Sequence, residues 1–124
     1  MRENLINQKA FDFAVETVLF CKVLQEEKRE YIISKQLLRS ATSVGANLEE
    51  GQGAISRADF IHKNHISLKE ARESKYWLRL IIATNLHDSE KPKALIKNCE
   101  ELIYIITKIL ITAKSNGVNK LKIR

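Results

Sequence analysis

The sequence predicts an all-α protein: an up-down-up-down antiparallel four-helix bundle with left-handed, coiled-coil-like packing, residues 1–124 forming one domain. Three observations carry this. A single proline and four glycines among 124 residues leave few places for turns, so the elements are few and long. Four segments repeat apolar residues at alternating steps of three and four, the spacing of one helix face. The breaks between them, near 28–30, 51–56 and 87–92, are short, as between antiparallel neighbours.

The first helix is expected over about 4–27, where Ile6, Ala10, Phe13, Thr17, Phe20 and Leu24 make one stripe and Phe11, Val15, Val18 and Leu19 widen it. The second, about 31–50, places Leu37, Leu38, Ala41, Val44, Gly45 and Leu48 within roughly a third of the circumference, a core stripe with small residues in its middle. Gly51 and Gly53 follow the last periodic residue, where a left-handed cap ends a helix. The third, 57–86, opens on Ser56 with Asp59 three residues later, a capping pattern, and runs about 45 Å without a breaker. The fourth, 91–115, starts with Pro92 in its first turn and repeats Leu95, Cys99, Leu102, Ile106, Ile109 and Ala113. Asn116-Gly117 is expected to end it, leaving a basic tail over 116–124. Its β-branched run from Tyr104 to Thr112 suits a strand by propensity, but the helical spacing continues through it and no partner strand is present.

The stripes are wider than one bundle core needs. On the third helix Phe60, Ala71 and Leu78 mark one face, flanked by Ile61, Leu68, Ile82 and Leu86 on one side and by Ile66, Trp77 and Leu80 on the other. Apolar surface beyond the order of a few hundred Å² marks an interface, so a homo-oligomer is expected, with the third helix, the fourth or both against a neighbour.

The balance of 44% hydrophobic and 29% charged residues is that of a soluble globular domain, and the N-terminus carries no leader pattern, so the expected location is the cytoplasm, without membrane contact. Cys21 and Cys99 lie far apart in apolar stretches, the pattern of buried free thiols. The net charge of +6 is concentrated at one end: residues 1–107 hold 16 Lys/Arg against 15 Asp/Glu, whereas Lys108, Lys114, Lys120, Lys122 and Arg124 face no acid. Such an end attracts polyanions such as RNA, or anionic lipid, and equally suits a solvated helix terminus.

Candidate chemistry is sparse. The glycines of SVGANLEEGQG, residues 43–53, match neither the dinucleotide fingerprint nor the P-loop. A di-metal bundle needs two ExxH motifs, and only Asp59-Phe60-Ile61-His62 with His65 and the distant His87 is available, so no metal or other cofactor is expected. No Ser/His/Asp or Cys/His set appears, and Glu49-Glu50 and Glu100-Glu101 are helical neighbours pointing different ways; the chain reads as a non-enzyme. Arg39, Ser43, Asn47 and Glu50 share one face of the second helix, either linking helices or subunits or lying in solvent. On the third helix Lys69, Arg72, Lys75 and Arg79 fall within a third of the circumference, with His65 and Tyr76 among them. That row can track a phosphate backbone and stack a base. It can also be a mixed-charge solvent face laced by Lys69 with Glu73 and Asp59 with Lys63.

QLLRSATSVGANLEEG, residues 36–51, resembles the QLRRAAxSIxxNIAEG signature of the bacterial four-helix-bundle family named for proteins encoded in 23S rRNA intervening sequences. DFIHK at 59–63 and KEARESKYWLR at 69–79 resemble that family's third helix; the likeness extends over nearly the whole chain. Glu49 stands where the family commonly has alanine. The resemblance implies a four-helix bundle assembled as a ring, a homopentamer, without cofactor or known enzymatic activity, in which Arg39, Ser43, Asn47 and Glu50 are signature polar residues of structural or interface type. A related branch, the accessory protein of diversity-generating retroelements, is a basic pentamer that binds a reverse transcriptase and nucleic acid.

Together these readings predict a non-enzymatic, homo-oligomeric bundle that binds nucleic acid, specifically RNA, through Lys69, Arg72, Lys75, Tyr76 and Arg79 with Lys120, Lys122 and Arg124 of the tail. The alternative is a protein-interaction module that docks a partner enzyme without touching nucleic acid.

Overall fold

Residues at the helical spacing of Phe13 line up on one side of the first helix, and the other three helices close over that side. The computed structural model describes the backbone of residues 2–123 and the side chains of residues 5–116. Its elements are α1 (Arg2–Lys28), α2 (Ile32–Gln52), α3 (Arg57–Ala83) and α4 (Lys91–Ile123), with no strand among the described residues. All six stripe residues of α1, Ile6, Ala10, Phe13, Thr17, Phe20 and Leu24, are buried. They join Leu37, Ala41, Val44 and Leu48 of α2, Leu68, Ala71, Leu78 and Ile81 of α3, and Leu95, Cys99, Leu102, Ile106 and Leu110 of α4; all but Thr17 belong to one cluster of buried hydrophobic residues.

Cross-helix contacts define the antiparallel order. Gly45, late in α2, packs on Ala10, early in α1. Glu50 of α2 pairs with Lys63 near the start of α3, whereas Ser40 near the start of α2 meets Ser74 late in α3. Arg57 at the head of α3 donates to the Ala113 carbonyl, and Lys75 reaches Glu100. Lys9 with Glu101 and Glu16 with Lys91 close the circle between α1 and α4.

The ends of the helices depart from the sequence reading in instructive ways. The carboxylate of Glu30 accepts from the backbone N–H groups of Ile32, Ile33 and Ser34, supplying the acceptor that the first turn of α2 needs. Helix α3 stops at Ala83 rather than Leu86, because Asn85 turns left-handed at φ 52° and the Leu86 N–H returns to the Ile81 carbonyl. At its other end Ser56 is extended and its hydroxyl accepts from the Asp59 N–H, as its spacing predicts. Helix α4 continues through Gly117 to Ile123, past the expected stop at 115, since a glycine weakens a helix by about 1 kcal/mol without blocking it. Nor does a left-handed glycine cap end α2: among the described residues no glycine has positive φ, Gly51 lies inside the helix, and Gly53 follows at φ −95°.

Gly51 serves close approach instead, since a Cβ there would stand 3.3 Å from Asn64 Nδ2 and 3.4 Å from Lys63 Cβ. Gly45 is less constrained: a Cβ would lie 3.6 Å from the Ala10 Cβ, an ordinary contact. Gly45→Ala should therefore stabilise the protein by about 0.5–1 kcal/mol in urea unfolding, the helix-propensity gain unopposed by a clash.

Two expectations about packing need correction. The apolar residues that seemed to widen the α1 stripe, Phe11, Val15, Val18 and Leu19, are exposed on the opposite side of that helix. The flanks of α3 are covered instead: Ile61, Ile66, Trp77, Leu80, Ile82 and Leu86 are all half-buried, because α2 and α4 sit on either side of it. Surplus apolar surface thus belongs chiefly to α1, with Tyr104 and Ile111 on α4. Sequence periodicity also passes over small polar residues in the core. Ser40 and Ser74 are buried hydroxyl to hydroxyl at 2.8 Å, and Ser67 donates to the Val44 carbonyl at 2.8 Å. Each satisfies its hydroxyl locally or across the seam, so burial carries no unpaired polar cost and lets α2 and α3 approach closely.

Candidate nucleic-acid interface

The signature residues of α2 do different jobs. Arg39 crosses to α3, where Nη1 lies 3.2 and 3.3 Å from the two Glu70 oxygens and Nη2 donates to Glu73. Glu73 also accepts from the Trp77 indole N–H at 3.0 Å. Glu50 binds Lys63 at 2.7 Å, so the pairing of Lys63 with Asp59 suggested by spacing gives way to a cross-helix pair. Ser43 and Asn47 stay within their own helix, donating to the carbonyls of Arg39 and Ser43. Two of the four therefore link helices and two do not. Glu49, the departure from the family pattern, is exposed and needs no burial.

Arg39 and, secondarily, Trp77 hold the Glu73 carboxyl below its ordinary range. A folded-state value below the unfolded one means stability that is present at neutral pH and lost as pH falls through the carboxylate range. Both partners are partly solvated, so the effect is small. Arg39→Ala should lower stability at pH 7, and the gap from wild type should narrow as urea unfolding is repeated towards pH 3.

This bridge also shapes the outer face of α3. Glu70 and Glu73, the carboxylates nearest the basic row, lean towards α2 and are occupied by Arg39. The Lys69–Glu73 pair expected from spacing is accordingly not formed. Lys69, Arg72, Tyr76 and Arg79 are exposed, and among the described residues none of the three cations enters an ion pair. Lys75 does not belong with them. It is half-buried and bound to Glu100 at 3.0 Å, on the side that faces α4. Tyr76 rests edge-on against Trp77, with ring centroids 5.1 Å apart, which fixes one aromatic within the row. The side chains of Lys120 and Lys122, and Arg124 as a whole, lie outside what the structure describes.

Other chemistry is not assembled. Among the described residues no three His, Cys, Asp or Glu side chains cluster to hold a metal ion. Burial pushes the Cys21 and Cys99 thiols up to about 12, leaving neither as a thiolate nucleophile at neutral pH. His87 packs edge-on against Phe20 and bonds Ser89, a structural role at the α3–α4 turn. Among the described residues no helix is long and apolar enough to cross a membrane.

The arrangement has known counterparts. The family model described as 23S rRNA-intervening sequence protein matches residues 2–108. A crystal structure from Bacteroides thetaiotaomicron, described as a protein of unknown function from the S23 ribosomal protein family, is 42% identical and superposes with a TM-score of 0.86. The match covers 89% of this chain and 98% of that one. No curated protein matches.

Proposed function

Since the chain belongs to the 23S rRNA-intervening sequence protein family, we propose that it is a non-enzymatic, cytoplasmic homo-oligomer, a pentameric ring, that binds RNA through the outer face of α3. The observation that carries this reading is the exposed row Lys69, Arg72, Tyr76 and Arg79, cleared of nearby carboxylates by the Arg39 bridge. A row of unpaired cations releases counterions on meeting a phosphate backbone, and an exposed tyrosine offers a stacking face to an unpaired base. Ring symmetry would repeat the row, so that several weak patches act on one strand.

Retention of bulk single-stranded RNA at low salt is the expected result, with affinity falling linearly on a log–log plot against salt. Three phosphate contacts per engaged subunit correspond to a slope of about −2 for single strands. Absence of retention at 50 mM salt would favour the module that docks a protein partner alone.

A further inference from the structure

We infer that the exposed apolar strip of α1 docks into a groove on a second copy of this chain, between the start of α1, the head of α3 and the C-terminal half of α4. The inference rests on the homo-oligomer reading above and specifies the surfaces that build it.

The strip comprises Phe11, Val15, Val18 and Leu19, at steps of four, three and one, all exposed and opposite the core face of their helix. It spans nine residues, about 12 Å of helix. The groove has a volume of about 810 Å³; Phe60, Ile105 and Ile109 contribute to its apolar lining, and Arg57 and Lys108 bring its charge. Tyr104 stands at its edge, 63% exposed, with the Lys108 ammonium 5.5 Å above its ring. Along α4 the lining runs from Tyr104 to Asn116, about 18 Å, long enough for the strip.

Charge selects the same partner. No carboxylate lines the groove among the described residues, whereas Asp12 is exposed beside Phe11 and has only the Gln8 amide as a partner there. An apolar row bordered by an acid fits an apolar trough bordered by two cations, and this chain carries both. Of the cations that flank the strip, Lys9 lies two residues before it and is paired with Glu101, and Lys22 comes three residues beyond it. Since strip and groove are different surfaces, the contact is head-to-tail and propagates from copy to copy, the geometry from which closed rings are made.

Two variants at exposed positions test this: V15E/V18E, which spoils the strip, and Y104E/K108E, which spoils the groove. Lys69, Arg72, Tyr76 and Arg79 are untouched by either. Light scattering after gel filtration at micromolar concentration should give an oligomeric mass for wild type and a monomer for each variant alone. Mixed in equal amounts, the two variants should form a heterodimer and nothing larger, because each pair retains one intact strip and one intact groove. Variants that keep the wild-type mass, or a mixture that stays monomeric, would overturn the pairing while leaving the oligomer reading intact. A monomeric wild type would overturn the oligomer reading itself. Circular dichroism accompanies each sample, and the milder F11S and Y104S replace any variant that loses helicity.

Discussion

Reversing Lys69, Arg72 and Arg79 to glutamate should reduce RNA retention by more than about 100-fold at moderate salt while leaving the helix content unchanged. Each of the three side chains is exposed and free of ion pairs among the described residues, so its charge is available to a phosphate. Reversal removes three attractions per subunit and adds three repulsions, and the loss is multiplied wherever one strand spans several subunits. Structural cost is small, because these residues point away from the core and surface changes of this type amount to about 0.5 kcal/mol each. Lys75 is left in place, since reversing it would set two carboxylates against each other across the α3–α4 seam at Glu100. Filter binding across a salt series decides the matter. Undiminished retention would move the contact off α3, and the basic segment with Lys120, Lys122 and Arg124 would be tested next.

Phe13→Ala should cost about 3–5 kcal/mol in urea unfolding, a large part of the stability of about 5–15 kcal/mol typical of a domain. Phe13 is 1% exposed and sits in the core cluster; its removal deletes buried area and leaves a cavity that rigid helices fill only partly. Phe11, two residues earlier on the same helix, is 59% exposed, so Phe11→Ala should change monomer stability by less than about 1 kcal/mol. Equal losses at the two positions would contradict the orientation of α1. Protein concentration must be held fixed in the comparison, because an interface that uses Phe11 adds a concentration-dependent term.

The two phenylalanines also show how far periodicity reaches. At about 100° per residue it places Phe13 with Ile6, Ala10 and Leu24 and sets Phe11 and Val15 on the far side of the helix, so the widened stripe misreads the spacing. What periodicity leaves open is whether another helix covers that far side, and in the fold these residues stay exposed. Periodicity likewise assigns the apolar flanks of α3 to a partner copy, whereas α2 and α4 cover them within the chain. Buried Ser40, Ser67 and Ser74 are invisible to a hydrophobic count, because what admits them to the core is a hydrogen-bond partner on another turn or another helix.

The basic row was legible in outline, and the structure sets one of its members apart. Angular arithmetic groups Lys69, Arg72, Lys75 and Arg79, but the reach of a lysine is decided by the carboxylate it finds, and Lys75 finds Glu100. Arg39 was legible as a residue able to grip carboxylates; that its partners are Glu70 and Glu73, and that this clears the row, depends on contacts 31 and 34 residues apart.

By itself the sequence determined that the chain is helical, that it forms four helices, and which side of each carries the main core stripe, because those properties follow from local spacing and from the scarcity of turn residues. Tertiary structure alone decided which apolar surplus stays exposed, how α2 and α3 come close through serine and glycine, and which cations remain unpaired. These depend on distances between residues far apart in the chain, and local spacing carries no information about such distances.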